Sequence, residues 1–214
     1  MHNSMNRKAN TDWTSLHIRR FWDWNSSNPY TDSIYFTALI GEGVVNVLDA
    51  TGKLKGKVLD YGCGNGHLLK YLLDRGLECY GVDYSSKSIN VVNNKFGDYP
   101  NWNNATVIDN IHIPYPDDYF DVITCVEILE HLTDDVLHQV IGELKRVVKP
   151  AGIIMITVPY AENLKQGMIY CPFCDSEYHK WQHLKSFSVE PLGSLLLSNG
   201  FKVLFCKNID FEAF

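Results

Sequence analysis

The spacing of hydrophobic residues changes near residue 57. Before that point, apolar residues recur at helical spacing. Asn28 and Pro29 predict a break between two helices, the first rich in aromatic residues and the second from Thr31 to Leu48. After that point, short β-rich runs alternate with amphipathic segments. This alternation is typical of parallel strands joined by crossover helices.

The pattern predicts where the individual elements begin and end. We expect strands at Lys57–Tyr61, Cys79–Asp83, Ala105–Ile108, Phe120–Val126, Gly152–Val158 and Phe201–Cys206. We expect helices at Gly66–Arg75, Ser86–Lys95, Asp134–Val148 and Val189–Ser198. The sequence therefore predicts an α/β fold with a Rossmann-like, doubly wound and mostly parallel sheet. Residues 1–51 would form an N-terminal tail and helical cap, and residues 52–214 a ligand-binding domain with a lid-like insertion at about 160–185.

Composition narrows the class of protein. Of the 214 residues, 45% are hydrophobic and 21% are charged, which is typical of a globular chain. No apolar run approaches the roughly 20 residues that cross a bilayer, and the polar first twelve residues do not resemble a secretory signal. We therefore expect a cytoplasmic protein without a membrane partner. The net charge of -6 argues against nucleic acid as a partner.

A glycine-rich loop follows the first predicted strand. Gly62, Gly64 and Gly66 would let backbone amides approach a ligand without obstruction by side chains. A dinucleotide fingerprint of the form Gly-x-Gly-x-x-Gly would need glycine at position 67, where the chain has His67. The spacing is Gly-x-Gly-x-Gly instead, with Asp60 two positions before it.

That spacing resembles motif I of the class I S-adenosylmethionine-dependent methyltransferases. Further matches follow in the family's order: Asp83 at the end of the second strand, Asp109 and Asn110 after the third, and the segments 113–123 and 144–152 around the fourth and fifth. The resemblance covers about residues 57–158. It implies S-adenosyl-L-methionine as cofactor, bound by Asp60, Gly62, Cys63, Gly64, Asn65, Asp83, Tyr84, Asp109, Asn110 and Glu127. In this family Asp83 would accept hydrogen bonds from the ribose hydroxyls, and Asp109 and Asn110 would hold the adenine.

Acid and base chemistry is expected directly after the fourth strand. Glu127, Glu130 and His131 are spaced to share one face of a helical turn. We predict His131, His183 and Glu130 as catalytic residues, with the histidines accepting a proton from the methyl acceptor. Alternatively, Glu127, Glu130, His131 and His183 would bind a divalent cation. This second set resembles two metal-using branches of the family, the small-RNA 2'-O-methyltransferases and the ubiquinone-pathway O-methyltransferases.

A second candidate metal site follows the fifth strand. Cys171, Cys174, His179 and His183 have the ligand types of a zinc knuckle in the pattern Cys-x2-Cys-x4-His-x3-His. Since both proposed sites use His183, only one of them can form. The alternative is an apolar lid without metal, made by the aromatic residues Tyr170, Phe173, Tyr178 and Trp181.

The sequence therefore predicts an enzyme that methylates oxygen or nitrogen of a small-molecule acceptor, chosen by the segment 160–185. Two alternatives remain open. One is a divalent-metal-dependent RNA ribose 2'-O-methyltransferase. The other is a non-catalytic binding module stabilised by zinc.

Overall fold

A computed structural model describes residues 13–109 and 111–214. The predicted tail up to residue 12 and the predicted adenine contact Asn110 lie outside the described residues. No helix in the described part of the chain is both long enough and apolar enough to cross a membrane.

Five parallel strands form the central sheet. They are β1 (Lys57–Tyr61), β2 (Glu78–Asp83), β3 (Trp102–Val107), β4 (Phe120–Val126) and β5 (Val148–Thr157). Their order is β3-β2-β1-β4-β5, so the direction of winding reverses between β1 and β4. A crevice is expected at this reversal, at the carboxyl ends of the strands. The four inner residues from Val58 to Tyr61 are buried, as expected for a central parallel strand.

Helices cover both faces of the sheet. They are α1 (Ser15–Ser27), α2 (Pro29–Asp32), α3 (Phe36–Asp49), α4 (His67–Asp74), α5 (Ser86–Phe96), α6 (Asp134–Val147) and α7 (Val189–Ser198). One core lies between the sheet and α3, α4 and α5, and a second between the sheet and α6 and α7. The predicted doubly wound, Rossmann-like fold is confirmed.

Two predicted elements were wrong. Residues 201–206 form no strand, and β5 is the last strand of the sheet. Phe201 and Cys206 pack against the core through their side chains alone, without strand pairing of the backbone. The helix predicted from Thr31 to Leu48 is divided between α2 and α3. Tyr35 has an extended backbone at the break, so it cannot continue the helical hydrogen bonds.

The N-terminal helices are fastened to the loops above the sheet. Asp32 Oδ1 accepts hydrogen bonds from Asn65 Nδ2 at 2.7 Å and lies 2.8 Å from His67 Nε2. Ser85 Oγ donates to Asp23 Oδ1 at 2.6 Å. The helices of the cap therefore lie over the carboxyl ends of β1 and β2.

The segment between β5 and α7 carries a small antiparallel hairpin that the sequence did not predict. Its strands are β6 (Met168–Cys171) and β7 (Ser176–His179), with Met168 opposite His179 and Cys171 opposite Ser176. Tyr160 and Phe187 form a bridge where the segment leaves and rejoins the main fold. The insertion therefore begins and ends at neighbouring points.

Candidate functional site

A cavity of about 550 Å³ lies at the carboxyl ends of β1 to β4. Its size is in the range of small-molecule sites. The strand-end loops form its floor, while α1, residues 34–37 and residues 181–183 form its walls. Two sides can be distinguished. We call Gly62, Gly64 and Asp83 the glycine side, and Glu127, Glu130, His131 and His183 the histidine side. Glu130, which was predicted to be catalytic, is fully buried and does not itself line the cavity.

Asp83 organises the glycine side through backbone amides. Its Oδ2 accepts from Gly64 N at 2.8 Å, and its Oδ1 accepts from Ser85 N at 2.7 Å. Burial raises the pKa of Asp83, and the amide hydrogen bonds act in the opposite direction. The carboxyl group therefore joins the loops after β1 and β2 into one rigid edge of the cavity.

Gly64 and Gly66 are required for different reasons. Both have left-handed backbones, with φ of 49° and 78°. A Cβ at Gly64 would meet nothing within 4 Å, so the glycine leaves open space beside the cavity. A Cβ at Gly66 would lie 2.6 Å from the buried side chains of Phe96 and Val92. Gly64 therefore leaves room for a ligand, and Gly66 lets α5 pack against the start of α4.

The predicted cofactor residues separate into two groups. Six of them line the cavity, namely Gly62, Gly64, Asp83, Tyr84, Asp109 and Glu127. Asp60, Cys63 and Asn65 lie outside its lining. Asp60 is buried beneath the loop and accepts from Thr124 Oγ1 at 2.7 Å. Burial raises the pKa of Asp60 from 3.8 to about 7. Its place under the loop suits support of the loop, with no exposed face for a ligand.

Asn65 and Cys63 also face away from the cavity. Asn65 Nδ2 donates to Ser26 O at 2.9 Å as well as to Asp32. Cys63 is buried beside Gly81, where an added Cβ would lie 2.9 Å from the Cys63 sulfur. These two side chains hold the glycine loop to the cap and to β2.

Glu127 and Glu130 are the two carboxyl groups on the histidine side. Glu127 is half-buried and accepts a hydrogen bond from Thr157 Oγ1 at 2.9 Å. Glu127 is not on the predicted helical turn, because it has a left-handed backbone with φ of 55° and only Leu129–His131 form a short 3-10 helix. Burial raises its pKa from 4.5 to about 7. Glu130 is fully buried, and neither of its carboxyl oxygens has a hydrogen-bond partner. Burial raises the pKa of Glu130 well above its ordinary value.

His131 and His183 lie side by side at this wall of the cavity. Their ring centroids are 4.9 Å apart, and both line the cavity. His131 Nε2 lies 3.7 Å from Glu130 Oε1. Burial, followed by the proximity of His183, lowers the pKa of His131 to about 3. His131 is therefore neutral at physiological pH and a weak base.

Only part of the cation-binding set predicted from the sequence comes together in the structure. Glu130, His131 and His183 each place one ligand atom within 4.8 Å of the others, and Glu127 is not in this group. Glu162, His179 and His183 form a second such group among the described residues. Glu162 had not been predicted from the sequence.

The predicted zinc set is not brought together. Cys171 and Cys174 lie at the turn of the hairpin, whereas His179 pairs with Met168 at its other end. These two ends of the hairpin are three residues apart along each strand, which corresponds to a distance of about 10 Å. Hydrogen bonds, first from the backbone of Cys174, lower the pKa of Cys171. The Cys-x2-Cys pair is therefore a separate feature from the two histidines.

The predicted aromatic lid is also only partly formed. Trp181 lines the cavity, but Phe173 is 97% exposed at the hairpin turn and Tyr170 is exposed as well. Both rings therefore face solvent and do not cover the cavity. Tyr178 packs instead against Trp13, with ring centroids 6.0 Å apart.

Gln182 is the second site residue that sequence reasoning missed. It is fully buried. Its Oε1 accepts from Trp22 Nε1 at 2.9 Å, and its Nε2 donates to His131 O at 3.0 Å. Gln182 therefore connects α1, the short 3-10 helix and the insertion. Its position beside His183 was the only signal in the sequence, since a glutamine suggests no particular role by itself.

Comparison with known proteins gives matches over most of the chain. A family model described as a methyltransferase domain matches residues 19–204. The chain is 36% identical over 128 residues to a tRNA (carboxymethyluridine(34)-5-O)-methyltransferase of Arabidopsis thaliana, covering 58% of this chain and 30% of that protein. It is 28% identical over 162 residues to a ubiquinone biosynthesis O-methyltransferase of Aeromonas salmonicida, covering 72% of this chain and 64% of that protein. The chain therefore spans about a third to two thirds of the length of these relatives.

A solved structure shows the same fold. A SAM-dependent methyltransferase from Aquifex aeolicus superposes with a TM-score of 0.58 at 21% identity, covering 89% of this chain and 90% of that one. At this identity the likeness concerns the fold alone.

Proposed function

We propose that this chain, which belongs to the class I S-adenosylmethionine-dependent methyltransferases, methylates a hydroxyl group of a small, largely apolar acceptor. The observation that carries the proposal is a single cavity with two different sides. The glycine side suits the methyl donor, and the histidine side suits the reacting hydroxyl.

The glycine side has the chemistry that a nucleoside requires. Gly62 and Gly64 bring backbone close to the cavity, and Asp83 is a carboxylate beside that loop. A carboxylate can accept hydrogen bonds from two adjacent ribose hydroxyls. Asp109 lies further along the same row of strand ends, where it would meet the adenine.

The histidine side has a base in His183. When bound, S-adenosylmethionine supplies an electrophilic methyl group, which leaves sulfur without its bonding electron pair and becomes bonded to the acceptor oxygen. His183 would accept the hydroxyl proton at Nε2 as that bond forms, so the positive charge passes from the sulfonium to the imidazole. His131 is the weaker candidate because its pKa falls to about 3.

The acceptor class follows from the remaining walls. Apolar side chains of Ile34, Leu132, Val136 and Val140 also line the cavity. Such walls favour an apolar body that carries one hydroxyl. Both relatives described above are named as O-methyltransferases, which supports oxygen over nitrogen.

Calorimetric titration with S-adenosylhomocysteine tests the donor half of the proposal. We expect wild-type protein to bind and Asp83→Ala to lose binding, because the loop amide of Gly64 loses its anchor. Asp98→Ala is the matched control, since Asp98 is exposed. Equal binding by Asp83→Ala and the wild type would refute the assignment of the glycine side.

Transfer of a labelled methyl group to a panel of phenols and apolar alcohols tests the acceptor half. We expect His183→Ala to retain S-adenosylhomocysteine binding and to lose about 10²-fold or more in kcat. A panel of small RNAs serves as the contrasting substrate. Methylation of RNA alone would contradict the small-molecule acceptor.

A divalent cation at Glu130, His131 and His183 is a second candidate for this side, favoured by one observation. Both carboxyl oxygens of Glu130 are buried without a partner, and such a group is costly unless something binds it. Two imidazoles and a carboxylate suit Mn²⁺, Zn²⁺ or Fe²⁺. A cation would lower the pKa of the acceptor hydroxyl.

Thermal unfolding in the presence of Mn²⁺, Mg²⁺ or Zn²⁺ tests this candidate. We expect one of these ions to raise the Tm in the wild type and to have no such effect on Glu130→Gln. Activity that persists after dialysis against a chelator would favour His183 acting as a base without a cation.

A further inference from the structure

Glu162 lies between two histidines of the insertion. Its Oε2 is 2.5 Å from His183 Nδ1, and its Oε1 is 3.5 Å from His179 Nε2. The two imidazole rings stack with centroids 4.6 Å apart and an interplanar angle of 22°. Both histidine side chains are almost completely buried, whereas 26% of the Glu162 side chain is exposed.

The backbone beside these residues is held in an unfavourable conformation. Ala161 has φ of 48° and Gln182 has φ of 60°, and they come directly before Glu162 and His183. The left-handed region is costly for residues other than glycine and is enriched at functional sites. Ala161 N donates to Phe187 O at 2.7 Å, which fixes the start of the insertion. The contact between Glu162 and His183 therefore forms although the residue before each of them has an unfavourable backbone conformation.

The hydrogen bonds fix the protons of both imidazoles. An ionised carboxylate only accepts, so His183 must carry its proton on Nδ1, where it meets Glu162. The lone pair of His183 is then on Nε2, the nitrogen that the proposed reaction uses. His131 differs, because its Nδ1 lies 3.4 Å from a backbone carbonyl, Gln182 O, and faces no carboxylate.

His179 completes the arrangement from behind Glu162. Its Nδ1 accepts from the amides of Trp181 and His183 at 3.4 and 3.2 Å, so its proton is on Nε2. That nitrogen lies 3.5 Å from Glu162 Oε1 and makes no hydrogen bond with it. A cation bound by Glu162, His179 and His183 would need a lone pair on that same Nε2. The hydrogen bonds of His179 therefore favour an N–H donor at this place over a metal ligand.

We propose that Glu162 is a positioning residue that selects the Nδ1–H tautomer of His183 and thereby presents Nε2 to the methyl acceptor. The proposal rests on the function proposed above. Carboxylates that orient a catalytic imidazole in this way are known from serine hydrolases. Neither a family motif nor the predicted cation set includes Glu162, so it is an addition to the site.

Nuclear magnetic resonance of protein labelled with ¹⁵N at histidine tests the proposal without any acceptor. We expect His183 in the wild type to be the Nδ1–H tautomer. In Glu162→Ala we expect a mixture of tautomers, because the group that selects one of them is gone. Glu162→Gln, which keeps an oxygen acceptor, should be intermediate. Glu177→Ala is the matched control, since Glu177 is an exposed glutamate of the same hairpin.

Kinetics give the second measurement. We expect Glu162→Ala to lower kcat about 10²-fold, with KM for both substrates and the Kd of S-adenosylhomocysteine within about twofold of the wild type. A fall in binding together with kcat would instead mean that the whole insertion had moved, and would count against a positioning role.

The outcomes separate the two proposals. A tautomer change in a protein that methylates nothing would retain the role of Glu162 and reject the proposed function. The same His183 tautomer in Glu162→Ala and the wild type would overturn the role of Glu162, whatever the activity. Stoichiometric metal in the wild type that is lost in both Glu162→Ala and His179→Ala would also overturn it, in favour of a cation at that place.

Discussion

The two sides of the cavity differ in how completely the fold satisfies their polar groups. On the glycine side, both oxygens of Asp83 accept backbone amides. On the histidine side, Glu130 is fully buried and neither oxygen is bonded. Buried polar groups are almost always paired. The difference indicates that the fold itself satisfies the Asp83 carboxyl group, whereas it leaves the Glu130 carboxyl group without a hydrogen-bond partner.

This difference predicts opposite responses to substitution. A change on the glycine side breaks contacts that the fold has already made, so it should cost stability or cofactor binding. A change on the histidine side can remove a group that the fold holds unfavourably, so it should cost activity while improving stability. Such a trade between stability and function is general at active sites.

The largest expected effect is in the glycine loop. Gly66→Ala should lower the free energy of unfolding by about 3 kcal/mol, because it combines a left-handed backbone with overlap against Phe96 and Val92. Gly64→Ala should cost only about 1 kcal/mol, for its backbone alone, yet weaken S-adenosylhomocysteine binding. Urea denaturation and calorimetry measure the two effects. Equal stability losses for the two variants would contradict the assignment of different roles.

A second effect concerns the pH dependence of stability. The pKa of Glu127 rises from 4.5 to about 7 on folding, so the folded state binds its proton more tightly than the unfolded state. Stability should therefore fall as pH rises from 4.5 to 7, by about 3 kcal/mol from this group. Glu127→Gln should flatten that part of the profile and be the more stable protein at pH 8. Glu177→Gln is the control, and a Glu127→Gln profile parallel to the wild type would refute the assignment.

The connection between cap and insertion should have a smaller effect. Trp22→Phe removes the donor to Gln182, whose side chain is fully buried. We expect a loss of about 1 to 2 kcal/mol in the free energy of unfolding, since a buried acceptor is left unpaired. Trp24→Phe is a suitable control because Trp24 is 60% exposed. Comparable losses in both variants would mean that ring packing, and not the hydrogen bond, is what matters.

The smallest effect is expected where the cap meets the glycine loop. Asp32→Asn keeps an oxygen facing Asn65 and His67 but removes the charge from a partly exposed site. We expect a loss of about 0.5 kcal/mol by urea denaturation. A loss several times larger would mean that the glycine loop is held mainly by Asp32 of the cap and not by Asp83.

Most of the sheet and much of the glycine side could be predicted from the sequence. Strands β1 and β4 and helix α7 have the predicted bounds, because buried parallel strands and a capped amphipathic helix produce strong local patterns. Asp83 and the glycines are recognised by local spacing as well. Asp60 and Asn65 could not be distinguished from the residues that line the cavity. The glycine-rich motif contains residues that support the loop as well as residues that face the cavity, and spacing alone does not separate them.

The histidine side was less predictable because its contacts join distant parts of the chain. Glu162 meets His183 across 21 positions, and Trp22 meets Gln182 across 160. The spacing of Cys171, Cys174, His179 and His183 suggested a common site, but the register of an unpredicted hairpin separates the cysteines from the histidines. Spacing along the sequence predicts proximity only where the intervening secondary structure is known.

The bridge between Tyr160 and Phe187 has a consequence for how such proteins diversify. Because the chain leaves and rejoins the main fold at adjacent points, the whole segment between them could be exchanged for another without changing a strand of the parallel sheet. Under the proposed function, His183 and Glu162 would be exchanged together with the wall that meets the acceptor. A recombinant or an evolutionary lineage could in this way acquire a new acceptor and a matching base in one event, while inheriting the donor site unchanged.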